Sequence, residues 1–549
     1  MAENLLLVEF LVLPIVFAVT LTAVVAPVLA AAFRGKVTAS MNQAASMTPA
    51  AQVPVALPTG TGQDFPSVPG RAESARWPSG TPSYSGFGPL PRVPAAAALQ
   101  ASSRQEVLSR RARNTLWRLA IAYGCAGAAQ AIVITLVVLL GGPDSYTRPS
   151  IWLSMLIVMA LPVVPTIAYV LATRPVARAL WIVVALGVAL VFAGEARGLV
   201  WDAFLLYIMV PAVIFLLFNL RFWRATAPVV LVLSLGGSLG WLTFFEIGRA
   251  IVGASPVIWI FRLVGLATGV LLALRAVRGI GQLYRAKRTS EQMLFIDTWW
   301  SLLTVIQTAV LVITWGPEGF IALAGLGGYL LISRVLISGL RTDRSPAARL
   351  LLLRVFGHDR RTERLLDELT LRWRPFGTVD LIAGRDLALR NIDPAEFYDF
   401  LTGKLAREFV RDGADLDQRL ARRDDCQDPD GRFRVNQFFC HRNTWKPTLD
   451  RLVASCDAVL MDLRNFNENR EGCRYEIRRL AEHAGVKPIV LLTNANTQLD
   501  LAESLFREAA TQHHRQATPD GQVFILQASR SNRATVDTAT RLLLDSPPA

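Results

Sequence analysis

Nearly all the long apolar runs of this chain fall within residues 1–340, and residues 341–549 read as an ordinary globular segment. An α-helix needs about 20 mainly apolar residues to cross roughly 30 Å of hydrocarbon with its backbone bonded internally. By that measure about nine spans are predicted, near 5–32, 117–140, 151–172, 179–194, 202–220, 228–247, 256–274, 294–315 and 319–339. The fourth is the weakest, with Glu195 and Arg197 close to its end. A mean hydropathy of +0.36 with only 18% charged residues excludes a soluble multi-domain enzyme of the usual kind.

The net charge of +14 points to a bilayer rather than to nucleic acid. Basic residues cluster in alternate loops: Arg34 and Lys36, Arg110 to Arg113, Arg174 and Arg178, Arg221 and Arg224, Arg275 to Arg288, and Arg341 to Arg349. All lie on one side if the N-terminus is outside and the C-terminus is cytoplasmic, as the positive-inside rule requires. No basic stripe interleaved with aromatics is present, so nucleic-acid binding is not expected. The Ala- and Arg-rich composition suggests a bacterial inner membrane. Ala30-Ala31-Ala32 resembles a signal-peptide cleavage site, but the basic flank follows the apolar run, so an uncleaved anchor is expected.

Four regions follow: an anchor helix over 1–36, a linker over 37–113, a polytopic region over 114–340 and a cytoplasmic α/β domain over 341–549. The linker is rich in Pro, Ala, Ser and Gly from 37 to 100 and is expected to be disordered. Among ionisable residues in or near the spans, Glu246 and Arg262 are placed to pair, while Asp297 and Arg334 lie near helix ends. Gly236 and Gly240 form a small-xxx-small packing pair, and Gly325-x-Gly327-Gly328 reads as packing rather than a phosphate loop. The five cysteines make neither a disulfide framework nor a C-x-x-C metal spacing, so no metal site is predicted.

From residue 350 short apolar runs alternate with amphipathic stretches. Strands are predicted over 351–356, 379–383, 458–463, 488–493 and 523–527, and helices over 360–373, 394–410, 470–484, 498–513 and 534–544. Five strands alternating with helices imply a parallel sheet covered on both faces, with ligands beyond the carboxyl ends of its strands. That end carries His358, Asp359, Gly384 to Asp386, Arg464 to Asn469, and Asn494. Asp462 sits in an apolar strand and needs a partner, either Arg464 or a backbone donor. Residues 411–447 form an insertion in which 432–439 can add an edge strand, and Thr444 is placed to cap a helix opening at Trp445.

The first strand's Val355-Phe356-Gly357-His358-Asp359, the loop from Gly384 to Pro394, and Ser455 to Leu463 followed by Gly472-Cys473-Arg474-Tyr475-Glu476 together resemble a Toll/interleukin receptor (TIR) domain. The resemblance covers roughly 190 residues and departs from the family at Gly472, where an aromatic is usual, and at the insertion. It implies a flavodoxin-like fold, self-association into a homo-oligomer, and cleavage of NAD as substrate rather than cofactor. On that resemblance Glu476 is the catalytic residue, with His358, Asp359, Arg464, Asn465 and Phe466 holding the nucleotide. A carboxylate there can stabilise positive charge building on a ribose. Read from the residues alone, Glu476 is equally an acidic group near a helix start, and Cys473 a small core residue. The expected function is a membrane-anchored signalling or defence-type protein. A non-catalytic scaffold that docks partners is the alternative, and a transporter with a regulatory domain comes third.

Overall fold

The computed structural model describes residues 22, 24–44, 92–94, 103–141, 149–171, 227–253, 255–339, 348–354, 360–383, 394–482, 487–512, 523–528 and 533–545. Among these, seven helices are long and apolar enough to cross a membrane: Val24–Asn42, Ser109–Gly141, Pro149–Val170, Val229–Val252, Ile258–Arg285, Glu291–Val312 and Glu318–Ser338. The spans expected near 179–194 and 202–220 lie outside the described residues. We number the helices α1 (Val24–Asn42), α2 (Ser103–Gly141), α3 (Pro149–Ala160), α4 (Val163–Val170), α5 (Ala227–Val252), α6 (Ile258–Arg285), α7 (Glu291–Trp315) and α8 (Leu323–Ser338). The span expected over 151–172 is broken between α3 and α4, where Pro162 has no N–H to continue the ladder.

Glycines set the α5–α6 contact. A Cβ on Gly240 would lie 2.1 Å from the Gly265 carbonyl oxygen, and one on Gly269 would lie 2.1 Å from that of Gly236. Two small-xxx-small pairs thus face each other, allowing backbones to touch. Gly325 packs against Gln130, whereas among the described residues a Cβ on Gly327 or Gly328 would meet nothing within 4 Å. The expected Glu246–Arg262 pair is not formed. Glu246 meets Arg249 one turn on (3.5 Å), and the Arg262 guanidinium stacks over Phe245 (3.8 Å), Trp259 and Trp241. Aromatic faces hold that cation without a carboxylate. Asp297 and Arg334 pair with each other at 2.7 Å.

Among the described residues the sheet has eight parallel strands rather than five. They are β1 (Arg92–Pro94), β2 (Ala348–Arg354), β3 (Gly377–Ile382), β4 (Phe409–Val410), β5 (Val435–Cys440), β6 (Ala458–Asp462), β7 (Ile489–Thr493) and β8 (Val523–Gln527), in the order β1-β8-β7-β6-β2-β3-β5-β4. The five predicted strands are present as β2, β3, β6, β7 and β8. The insertion supplies β5, which is not an edge strand because β4 pairs outside it. Helix α9 (Arg360–Trp373), α10 (Pro394–Leu401) and α15 (Arg533–Asp545) cover one face with Leu350, Leu352 and Leu460. On the other face α12 (Trp445–Ser455), α13 (Glu471–Glu482) and α14 (Leu499–Gln512) pack on Leu351, Leu353, Val459 and Met461. Alternate strand residues feed the two cores, as a pleat buried on both sides demands.

Two predicted elements change character. The helix expected over 394–410 stops at Leu401, because Gly403 takes φ +75° and the chain turns through Leu405–Glu408 into β4. Thr444 does not cap its own helix; its Oγ1 accepts from the His441 N–H (2.9 Å) and pins the preceding turn.

The linker is ordered where it is described. Helix α1 runs on to Asn42, β1 adds to the sheet edge beside β8, and α2 starts at Ser103; residues 45–91 and 95–102 lie outside the described residues. On α1, Phe33 meets the Phe400 ring edge-on at 5.2 Å, and the Ser40 carbonyl lies 2.8 Å from His441 Nδ1. The insertion, which also holds α11 (Gly413–Ala421), joins the α/β domain to the α6–α7 turn. Arg434 stacks on the Tyr284 ring at 3.6 Å, donates to the Tyr284 carbonyl at 2.7 Å and pairs with buried Asp428 at 2.7 Å. Lys287 reaches Asp424 (2.6 Å) and Asp428 (3.1 Å).

Candidate functional site

In an open parallel sheet the crevice for a ligand opens where successive strands lie to either side of a starting strand. Here the chain goes from β2 to β3 on one side and returns to β6 on the other. The crevice is therefore at the carboxyl ends of β2 and β6, where Arg354 and Asp462 are register partners.

Asp462 ends an apolar strand and is buried. Arg464 answers it with two parallel bonds, Nε to Oδ1 at 2.8 Å and Nη2 to Oδ2 at 2.7 Å, and the Arg464 N–H also reaches Oδ1. A fork-on-carboxylate pair of this kind fixes geometry. Next, Asn465 takes φ +60°, a conformation its short side chain tolerates. Its N–H donates to the Asn494 side chain (3.1 Å), and Asn494 Nδ2 donates back to Asn465 Oδ1 (3.0 Å). Thr497 completes the knot with a bond to the Leu463 carbonyl. The loops after β6 and β7 are thus tied together.

Glu476 enters from the second turn of α13, not the first, and faces inward at 6% exposure. Its Oε2 has no hydrogen-bond partner among the described residues. Burial pushes this carboxyl up to about 8, and Arg354 opposes the rise electrostatically. A buried acid with one oxygen unengaged can take part in proton exchange near neutral pH or receive a polar ligand group. Cys473, one turn earlier, is buried, and both burial and the neighbouring Glu476 push its thiol upward, away from the thiolate a nucleophile needs.

The predicted residues are therefore brought together in part. Glu476, Arg464 and Asn465 sit at the crevice, but Arg464 is engaged by Asp462 and Asn465 by Asn494. Phe466 is fully buried in the hydrophobic layer with Leu463 and Cys473, so it packs the core instead of facing a nucleotide. His358 and Asp359 lie outside the described residues, as does the loop 384–393. Arg354 was missed in the sequence; its signal is a cation closing a run of four leucines, which must find an anionic or polar neighbour at the strand end. No family model, no curated protein and no solved structure matches the chain.

Proposed function

We propose that the chain is a multi-pass membrane protein whose α/β domain is TIR-like, faces the cytoplasm and cleaves the nicotinamide–ribose bond of NAD or a related nucleotide as part of a signalling or defence response. The observation that carries this reading is Glu476, a buried carboxyl with an unengaged oxygen at the strand-order reversal, beside Arg354. The order β8-β7-β6-β2-β3 within the sheet is that of flavodoxin-like folds, which supports the resemblance. Bringing the positively charged nicotinamide ring near Glu476 favours its ionised form, and the carboxylate then holds the ribose hydroxyls while the ring leaves as nicotinamide. The electrons of the broken bond leave with nicotinamide, a water oxygen bonds to the ribose C1′, and its surplus proton passes to the Glu476 carboxylate, which restores the proton given up to solvent on ionising. The resemblance also implies that copies self-associate in the bilayer, which dilution of the protein in lipid tests.

The test uses the full chain, because α1 and the α6–α7 turn pack against the α/β domain. Protein concentrated in lipid nanodiscs or vesicles is given NAD, and nicotinamide release is followed for wild type, Glu476→Ala and Glu476→Gln. Release in wild type alone supports the enzyme reading. A folded, clustered protein that releases nothing transfers the weight to a docking scaffold. That second reading has its own support: Arg464 is engaged by Asp462 and Phe466 is core, which leaves fewer side chains to hold a nucleotide.

A further inference from the structure

Helix α6 has 28 residues and rises about 42 Å, more than the roughly 30 Å of hydrocarbon that a span must cross. Its last turn is held by the α/β domain, Tyr284 by Arg434 and Arg285 by Asp399 of α10. The α5–α6 loop therefore marks the end of the bundle remote from that domain. Arg262 stands at this remote end, four residues or about 6 Å along α6 from Ile258. A cation at the edge of the hydrocarbon, away from the side where the basic loops gather, needs a compensating group.

Aromatic rings supply part of the compensation. The guanidinium carbon lies 3.8 Å from the centre of the Phe245 ring, 4.8 Å from Trp259 and 5.4 Å from Trp241. The two indoles meet edge-on at 6.0 Å. Rings take the face of a guanidinium and leave the N–H groups along its edge to be met in plane. Among the described residues no carboxylate meets that edge, because Glu246 turns to Arg249 at 3.5 Å.

Trp241, Phe245 and Arg249 recur every four residues and form one stripe along α5. The stack on the first two puts Arg262 on the stripe that Arg249 continues, one turn nearer the loop. The Arg249 side chain is 53% exposed. Two guanidinium groups against one carboxylate leave an excess of one positive charge. The aromatic box is already filled by a cation, so it has no place for a quaternary ammonium head; the open position suits an anion. Trp259 and Leu263 on α6 are 55% and 59% exposed, so this side of the helix is open to the bilayer and an occupant arrives laterally, without needing a cavity. The anion that a bilayer presents just outside its hydrocarbon is the lipid phosphodiester, whose paired oxygens match a guanidinium fork.

We propose that Arg262 and Arg249 hold the phosphodiester of an anionic phospholipid, of the phosphatidylglycerol type, in the leaflet remote from the α/β domain. Its single negative charge balances the excess, whereas a zwitterionic lipid brings a further cation to a site that already has two. Phe245, Trp241 and Trp259 position the Arg262 fork. The site is separate from the crevice at Glu476 and does not depend on nucleotide cleavage there.

Full-length protein is placed in phosphatidylcholine nanodiscs carrying a small fraction of phosphatidylglycerol with a photoreactive diazirine beside its headgroup. After irradiation the cross-linked peptides are mapped. Adducts are expected within residues 241–263, competed by unlabelled phosphatidylglycerol and not by added phosphatidylcholine or inorganic phosphate. Arg262→Gln is expected to cut these adducts about tenfold, the loss of a charged hydrogen bond, and Arg249→Gln to cut them less. Glu246→Gln, which frees Arg249, is expected to raise them, and Arg278→Gln at the opposite end of α6 to leave them unchanged. Absence of adducts on that segment, equal competition by phosphatidylcholine, displacement by inorganic phosphate, or undiminished adducts in Arg262→Gln overturns the proposal. The competition arms use wild type alone, so they decide the outcome even where a variant fails to fold.

Discussion

Replacing Glu476 with Gln isolates the energetic consequence of burying an acid at the crevice. The folded carboxyl keeps its proton up to about 8, against an ordinary value of 4.5. Between those values the folded chain binds one more proton than the unfolded chain. The favourable contribution is fully present below 4.5 and is lost progressively as pH rises toward 8. At about 1.36 kcal/mol per pH unit, the full window amounts to an upper value of about 5 kcal/mol. Glutamine has nearly the same shape and does not titrate, so the variant lacks this slope. For an α/β unit of this size the slope corresponds to roughly 3–5 °C of melting temperature per pH unit. Tryptophan-fluorescence melts of wild type and Glu476→Gln in detergent, from pH 5 to 9, read the difference directly. Asp380 and Asp428 are also raised by burial, but they are common to both proteins and cancel. The variant is expected to gain on wild type steadily as pH rises. Parallel melting curves across the range would falsify the claim that Glu476 is buried as an uncompensated acid.

Arg434→Ala leaves buried Asp428 without its closest cation and removes the stack on Tyr284. A loss of about 3–5 kcal/mol is expected, seen as a lower melting temperature and faster proteolysis of the insertion; wild-type behaviour in both assays contradicts the clasp. Gly265→Leu forces a side chain into space where even a Cβ lies 2.2 Å from the Gly240 carbonyl. Overpacking of this kind costs about 1–3 kcal/mol or more, and cysteines engineered across α5 and α6 are expected to cross-link less readily, an effect absent if the helices do not touch there. Phe33→Ala empties a fully buried site against Phe400 and is expected to cost about 3–5 kcal/mol. Increased hydrogen exchange over α10 checks it, and unchanged exchange counts against α1 docking on the domain.

What the sequence determined by itself is whatever depends on the length and period of apolar runs. The seven candidate spans among the described residues were legible because any helix of that length and composition has the same physics wherever it packs. So were β2, β3, β6, β7 and β8, whose apolar runs are too short for helices, are bounded by turns and alternate with amphipathic stretches, as strands of a doubly covered sheet do. The Asp462–Arg464 pair was legible too, since a carboxylate inside such a strand must find a cation or donor close by.

Tertiary structure decided everything that rests on distant neighbours. Three residues at 92–94 become a strand only because the β8 edge offers unpaired backbone groups. The insertion looked like an addition to a known pattern, and its part in the fold appears only where Arg434 reaches the Tyr284 carbonyl and Lys287 of the α6–α7 turn reaches Asp428. Arg262 found aromatic faces in place of the acid nearest in sequence, and Phe466, beside two polar loop residues, turned into the core. Local pattern specifies which groups must be buried or bonded. Which partner each one meets is settled by packing, because the competing choices differ by small energies that only the assembled neighbours resolve.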